Sequence, residues 1–157
     1  MPAIAIVGAG PQLGLAIART FGSHGLDVAL IARNRAKLDE LVGKLGAEGI
    51  TAAAFPADVL DRDGLTQAFK DAAAQFGGID VLEYSPVGTL GSTILTSPSE
   101  TDPSHVQHEM GFHVGIDVSI GTAVIPGAPV AQPEEISPVC WELHTTHRDA
   151  AERVFSR

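Results

Sequence analysis

Residues 8–14, Gly8-Ala9-Gly10-Pro11-Gln12-Leu13-Gly14, constrain this chain more than any others. They follow a short apolar run, Ala3-Ile4-Ala5-Ile6-Val7, and open a stretch in which Leu13, Ala16, Ile17 and Phe21 recur at helical spacing. A nearly continuous apolar run of this length reads as a strand covered on both faces. Glycine at a strand-to-helix turn permits a tight reversal, lets backbone N–H groups approach a pyrophosphate, and lets the helix lie close on the strand. The helix N-terminus beyond it offers unpaired donors and a partial positive charge to an anion. Gly8, Gly10 and Gly14, with the backbone of Gln12 and Leu13, are therefore the expected phosphate cradle. Glycines alone are a weak signal, since glycine punctuates turns of every kind. Their place at the first strand–helix junction of an alternating chain is what gives them weight.

That alternation continues. Gly25 closes the first helix and residues 28–32 form the next buried strand. Leu38, Leu41, Val42 and Leu45 then make a core-facing helical stripe. Gly46 and Gly49 precede a third strand at 51–55. Leu65, Ala68, Phe69, Ala72, Ala73 and Phe76 form the longest stripe, stopped by Gly77-Gly78, and 79–84 is a fourth strand. Strand and helix joined by short connections imply parallel strands and right-handed crossovers. The fold class is α/β, a three-layer doubly wound parallel sheet of about five strands in the order 3-2-1-4-5. The fifth strand is placed at 115–120. Residues 85–101 read as a loop, Asp102-Pro103 as the start of a helix reaching Val114, and 134–155 as one or two helices. The 157 residues make one domain.

Charge and composition exclude several functions. A net charge of −9 argues against general nucleic-acid binding, which needs a basic face. No apolar run of about 18 residues is present, so no membrane span is expected. The first residues enter a strand with no basic leader, so no signal peptide is expected. One cysteine, Cys140, allows no intrachain disulfide and fits a reducing compartment. The expected localisation is cytoplasmic.

Arg33 lies just past the second strand, where an adenosine ribose lands in such sheets. An acidic residue there holds the 2′-hydroxyl of NAD, whereas Arg suits the 2′-phosphate of NADP. Asn34 and Arg35 adjoin it, and the alternative is a solvated surface arginine. Asp58-Val59 follows the third strand, where a carboxylate can accept from an adenine amino group. Asp58 could equally serve its own loop, with Asp61 the better helix cap. Tyr84, at the carboxyl end of a central strand, is a weak catalytic candidate beside its plainer reading as an aromatic plug under the loop. His105, His108, Glu109 and His113, or His144 and His147, match no zinc pattern, and no metal is expected. Cys140 beside Trp141 reads as a packing contact.

Together these stretches resemble the short-chain dehydrogenase/reductase family. Residues 6–14 line up with its Thr-Gly-x-x-x-Gly-x-Gly loop, with Val7 for the Thr and Gln12 for the middle Gly. Ala32-Arg33-Asn34 with Lys37-Leu38 is similar to the NADP-type strand end, and Ala57-Asp58-Val59 to the adenine-contacting Asp-Val. Ile79-Asp80-Val81-Leu82 resembles the fourth strand, but Tyr84-Ser85-Pro86 stands where Asn-Ala-Gly is expected. Ile120-Gly121 and Pro133-Glu134-Glu135-Ile136 resemble later family segments. The match runs over 3–114 and 115–145, joined at Val114-Gly115 as if by an internal deletion. Members run to about 250 residues as one domain. The segment that would lie between carries the catalytic Ser and Tyr-x-x-x-Lys. Here the only tyrosine is Tyr84, Gly88 stands four residues later, and Lys70 is the last lysine.

The resemblance implies a Rossmann-like domain that binds NADP(H), or less readily NAD, with carbonyl or alcohol hydride transfer impaired. Its implied partners are the dinucleotide, a small carbonyl or alcohol substrate, and a second copy in a homo-oligomer. One alternative is a working oxidoreductase with a replaced or separately carried catalytic segment. Another is a non-enzymatic redox-sensing or dimerisation module.

Overall fold

A computed structural model of the chain describes residues 1–86 and 132–145. The apolar runs become four parallel strands: β1 (Ala3–Val7), β2 (Asp27–Ala32), β3 (Ala52–Pro56) and β4 (Val81–Tyr84). Their order is β3-β2-β1-β4, the expected order as far as it extends. The expected fifth strand at 115–120 and the helix after Asp102 lie outside the described residues.

Register explains the two cores. Ile4 pairs with Val28 and Val81, and Ile6 with Leu30 and Glu83. Side chains alternate across a strand, so Ile4, Ile6, Val28 and Leu30 enter one cluster, and Ala5, Val7, Ala29 and Ile31 the other. Helices α1 (Leu13–Ser23) and α2 (Arg35–Ala47) cover the first face. Helix α3 (Arg62–Phe76) covers the second. Every residue of β1 is fully buried, as a central strand between two helical layers requires. Each buried Ile or Leu contributes roughly 1.5–3 kcal/mol of hydrophobic stabilisation.

Helix ends follow from local chemistry. Asn34 caps α2 by accepting from the Lys37 N–H at 3.1 Å, and Asp61 caps α3 through the Gly64 N–H at 3.1 Å. Gly77, at φ 83°, ends α3 and donates its N–H to the Ala73 carbonyl. Asp61→Ala is expected to cost about 0.5–2 kcal/mol, read as a shifted urea midpoint with an unchanged slope.

Three strands differ from expectation, the second only by starting one residue earlier, at Asp27. The third strand is shifted one residue on, to end at Pro56; among the described residues β3 is an edge strand, where proline costs no ladder bond. The fourth begins at Val81, because Asp80 turns its side chain onto the sheet. Its Oδ2 accepts from the Ala3 N–H at 2.8 Å while its own N–H donates to the Ala3 carbonyl.

The last helix among the described residues, α4 (Pro133–Thr145), lies on α1. Trp141 meets Phe21 edge-on at 5.1 Å and stacks on His24 at 3.8 Å. The Thr20 hydroxyl donates to the buried Ser137 hydroxyl at 2.9 Å. Cys140 and Trp141 pack against the first core cluster, the contact role read from the sequence.

Candidate functional site

The loop after β1 is held from two sides. The N–H groups of Gly8 and Ala9 both donate to the Ile31 carbonyl, at 2.9 and 3.2 Å, tying the loop to the end of β2. On the other side β4 presses against it. Gly8 has φ +90°, and a Cβ there would stand 2.6 Å from Pro86 Cα and 2.7 Å from the Ser85 carbonyl oxygen. A Cβ on Gly14 would meet Ala9 Cα at 3.0 Å, so the first turn of α1 closes directly on the loop. At Gly10 the nearest atom to a Cβ among the described residues would be 3.8 Å away, so they leave that flank open.

Helix α1 starts without a cap. Gln12 occupies the N-cap position with no side-chain bond, and no acidic residue stands in the first turn. The Leu15 and Ala16 N–H groups donate to the Gly10 and Gln12 carbonyls, whereas those of Leu13 and Gly14 find no partner among the described residues. Free donors at a positive helix end beside an open glycine are what an anionic phosphate needs. These residues fit a dinucleotide pyrophosphate.

The three candidates past β2 have separate fates. The side chain of Asn34 is engaged as the cap of α2. Arg35 is paired with Asp39 one helical turn on, Nε to Oδ1 at 2.9 Å. Arg33 is exposed and makes no ion pair among the described residues. It is therefore the arginine at this strand end with its charge to offer a ligand.

Past β3, Asp58 Oδ1 accepts from the Leu60 N–H at 3.0 Å, which is its own loop's turn bond. Its Oδ2 has no bond among the described residues. Ala57 donates to the Ala32 carbonyl, which brings the ends of β3 and β2 together, and Val59 packs on the second core cluster. Tyr84 pairs with Val7 and packs, half-buried, on that same cluster.

One residue at this edge escapes a reading of periodicity. Glu83 pairs with Ile6, and its side chain sits on the α1 face of the sheet. Its Oε2 is buried with no hydrogen-bond partner among the described residues. Burial pushes the carboxyl up to about 7, against the opposing effect of a hydrogen bond from Ser85. The signal was present as a charged residue in the middle of an otherwise apolar strand.

A cleft of about 530 Å³ lies at the opposite edge, lined by Arg19, Thr20, Gly22, Ser23, Glu48, Gly49 and Ile50. Arg19 is already engaged by Glu48 at 2.6 Å, so among the described residues the cleft has no spare cation for an anionic ligand. The carboxyl-edge loop remains the better site. Among the described residues no His, Cys, Asp and Glu groups converge as metal ligands, and no helix is long and apolar enough to cross a membrane. His105, His108, Glu109, His113 and His147 lie outside the described residues.

The chain is similar to known proteins over this same region. A family model for short chain dehydrogenase matches residues 2–116. The 2,3-dihydro-2,3-dihydroxybenzoate dehydrogenase of Bacillus subtilis is 36% identical over 97 residues, 62% of this chain and 37% of that protein. An L-sorbose reductase from Gluconobacter frateurii, solved with NADPH and L-sorbose, superposes with a TM-score of 0.62 at 28% identity, covering 71% of this chain and 41% of that one. A metagenomic short-chain oxidoreductase in complex with NADP gives 0.52 at 30% identity, covering 64% and 46%. The chain spans under half the length of the curated relatives it matches.

Proposed function

The chain belongs to the short-chain dehydrogenase family, and on that premise we propose that its carboxyl edge binds NADP(H) while ordinary hydride transfer to a carbonyl, or from an alcohol, is impaired in these 157 residues. The observation that carries the cofactor is Arg33, exposed at the end of β2 and without an ion pair among the described residues, beside an Arg35 already spent on Asp39. A guanidinium there matches a 2′-phosphate, and no carboxylate stands at that strand end to prefer the free 2′-hydroxyl. Gly8, Gly10 and Gly14 with the N–H groups of Gln12, Leu13 and Gly14 receive the pyrophosphate. Asp58 Oδ2 is the free acceptor for the adenine amino group, and Val59 lines that side. The NADPH and NADP complexes of the two structural relatives support the same reading.

A bound nicotinamide dinucleotide supplies the hydride; the protein must supply a proton at the carbonyl oxygen and hold the substrate. Tyr84 is the chain's only tyrosine, and no lysine follows Lys70. The Tyr84 ring packs, half-buried, on the core. The substrate class, by kinship, is a small carbonyl or alcohol. A second reading, a working oxidoreductase whose catalytic segment lies beyond these residues, is favoured by the chain's short span relative to its relatives.

Arg33→Ala tests the cofactor assignment. Hydrogen bonds to charged groups are worth about 1.5–3 kcal/mol, so the NADPH dissociation constant should rise about ten- to a hundredfold. NADH binding should stay within about twofold, a change of under 0.5 kcal/mol. Equal losses for both nucleotides would reduce Arg33 to a surface charge.

A further inference from the structure

The Glu83 carboxyl is the buried titratable group that the cofactor reading leaves unused. Its strand places it beside Ile6, whose Cγ2 lies 3.7 Å from where a Cβ on Gly14 would stand. Two residues on, Ser85 is the neighbour that favours the ionised form of this carboxyl, and the Ser85 carbonyl and Pro86 are the atoms that press on Gly8. One short segment thus links a buried acid to the wall of the phosphate loop. Strand neighbours stand about 4.8 Å apart and residues rise about 3.3 Å, which puts the carboxyl on the order of 10 Å from a phosphate at the loop.

We propose that Glu83 is a positioning residue of the dinucleotide site that works as the neutral acid, and that a dinucleotide binding at residues 8–14 takes up a proton there. The inference rests on the cofactor reading above. Its charge surroundings are sparse. Strand β1 offers only apolar side chains, and the buried residues of α1 are Gly14, Leu15, Ala16, Ile17, Ala18 and Phe21. The charged residue of α1, Arg19, is engaged by Glu48. From α4 the thiol of Cys140 faces Glu83, and it too is held protonated by burial and by that carboxyl. The charged and titratable side chains of α4, Glu134, Glu135, Glu142 and His144, are exposed. No cation among the described residues compensates an ionised Glu83, so a pyrophosphate brought to the loop disfavours its charge further. Ionised, Glu83 also loses its reason to stay buried, and Ser85 and Pro86 lose their fixed seat against Gly8.

The sign follows from linkage. A carboxyl held at about 7 in the free protein and higher in the complex makes NADPH bind more weakly as pH rises above 7. Each unit of further rise costs about tenfold in affinity.

The test is titration calorimetry with NADPH at pH 7.5 in buffers of different ionisation heat, for wild type and Glu83→Gln. Wild type should take up a substantial fraction of a proton more than the variant. The 2′-phosphate of NADPH titrates in both and cancels in the difference. Ser85→Ala, which keeps the acid and removes its donor, should shift the pH dependence upward. Without nucleotide, wild-type melting temperature should fall between about pH 4.5 and 7, and the fall should shrink in Glu83→Gln. NADPH binding with equal uptake in both proteins, or with none in wild type, would overturn the inference and spare the cofactor reading. Absence of any NADPH binding overturns that reading and the inference with it.

Discussion

Purified protein given NADPH and a panel of ketones, aldehydes and quinones is expected to turn over far below 1 s⁻¹, roughly the low end for ordinary enzymes. On the proposed reading, the reason is a missing acid rather than a missing cofactor pocket. A positioned proton donor contributes typically 10²–10⁴-fold, and the family's Tyr-x-x-x-Lys pair has no counterpart in a sequence with one tyrosine and no lysine after residue 70. Tyr84 is the remaining candidate, and its ring packs, half-buried, on the Ala5, Val7 and Ile31 side of the sheet. Ser119, Thr122 and the histidines between 105 and 113 are substitutes by residue type alone, and all lie outside the described residues. The assay follows NADPH oxidation. Turnover near 1 s⁻¹ that vanishes in Tyr84→Phe would make Tyr84 the acid and restore full catalysis to the chain.

Gly8→Val should damage the fold and the site together. Its φ of +90° is strained for any side chain, and the new Cβ would fall 2.6 Å from both the N and Cα of Pro86. Backbone strain costs on the order of 1–3 kcal/mol, and overpacking typically about 1–3 kcal/mol more. A loss of roughly 2–6 kcal/mol takes much of a small domain's stability. Gly10→Val is the informative contrast. A Cβ there meets nothing nearer than 3.8 Å among the described residues, so stability should be close to wild type. Its side chain would nevertheless stand on the open flank of the loop and weaken NADPH binding at least tenfold, about 1.4 kcal/mol. Urea unfolding and NADPH fluorescence on both variants separate the two effects. Gly10→Val binding NADPH like wild type would move the phosphates away from that flank.

Periodicity carried the sheet as far as residue 84 because β1 and β2 are buried on both faces, which forces continuous apolar runs, and the partly buried β3 is apolar along its whole length. The cap at Asp61 was legible for a similar reason, an acid placed just before a helical stripe. The site was legible in backbone more than in side chains. Glycines report φ and close approach directly, so the loop stands where it was expected. The fate of Asn34 depends on an N-cap geometry that a strand-end reading overlooks. Arg35 and Asp39 are spaced i, i+4, a pair the sequence does carry. Glu83 escaped because strand recognition averages over residues, and one acid among Val81, Leu82 and Tyr84 barely disturbs the average. Only the pairing with Ile6 reveals that its oxygen is sealed. The stretch from 85 to 131 mixes Pro, Gly, Ser and Thr with short apolar runs, so no period dominates there.

NADP(H) binding at this edge is tested most directly by titrating the wild-type chain with NADPH and NADH side by side, following nucleotide fluorescence. Saturable enhancement with both is expected, with NADPH tighter by at least tenfold, about 1.4 kcal/mol. Equal affinities, a preference for NADH, or no enhancement with either nucleotide would contradict it.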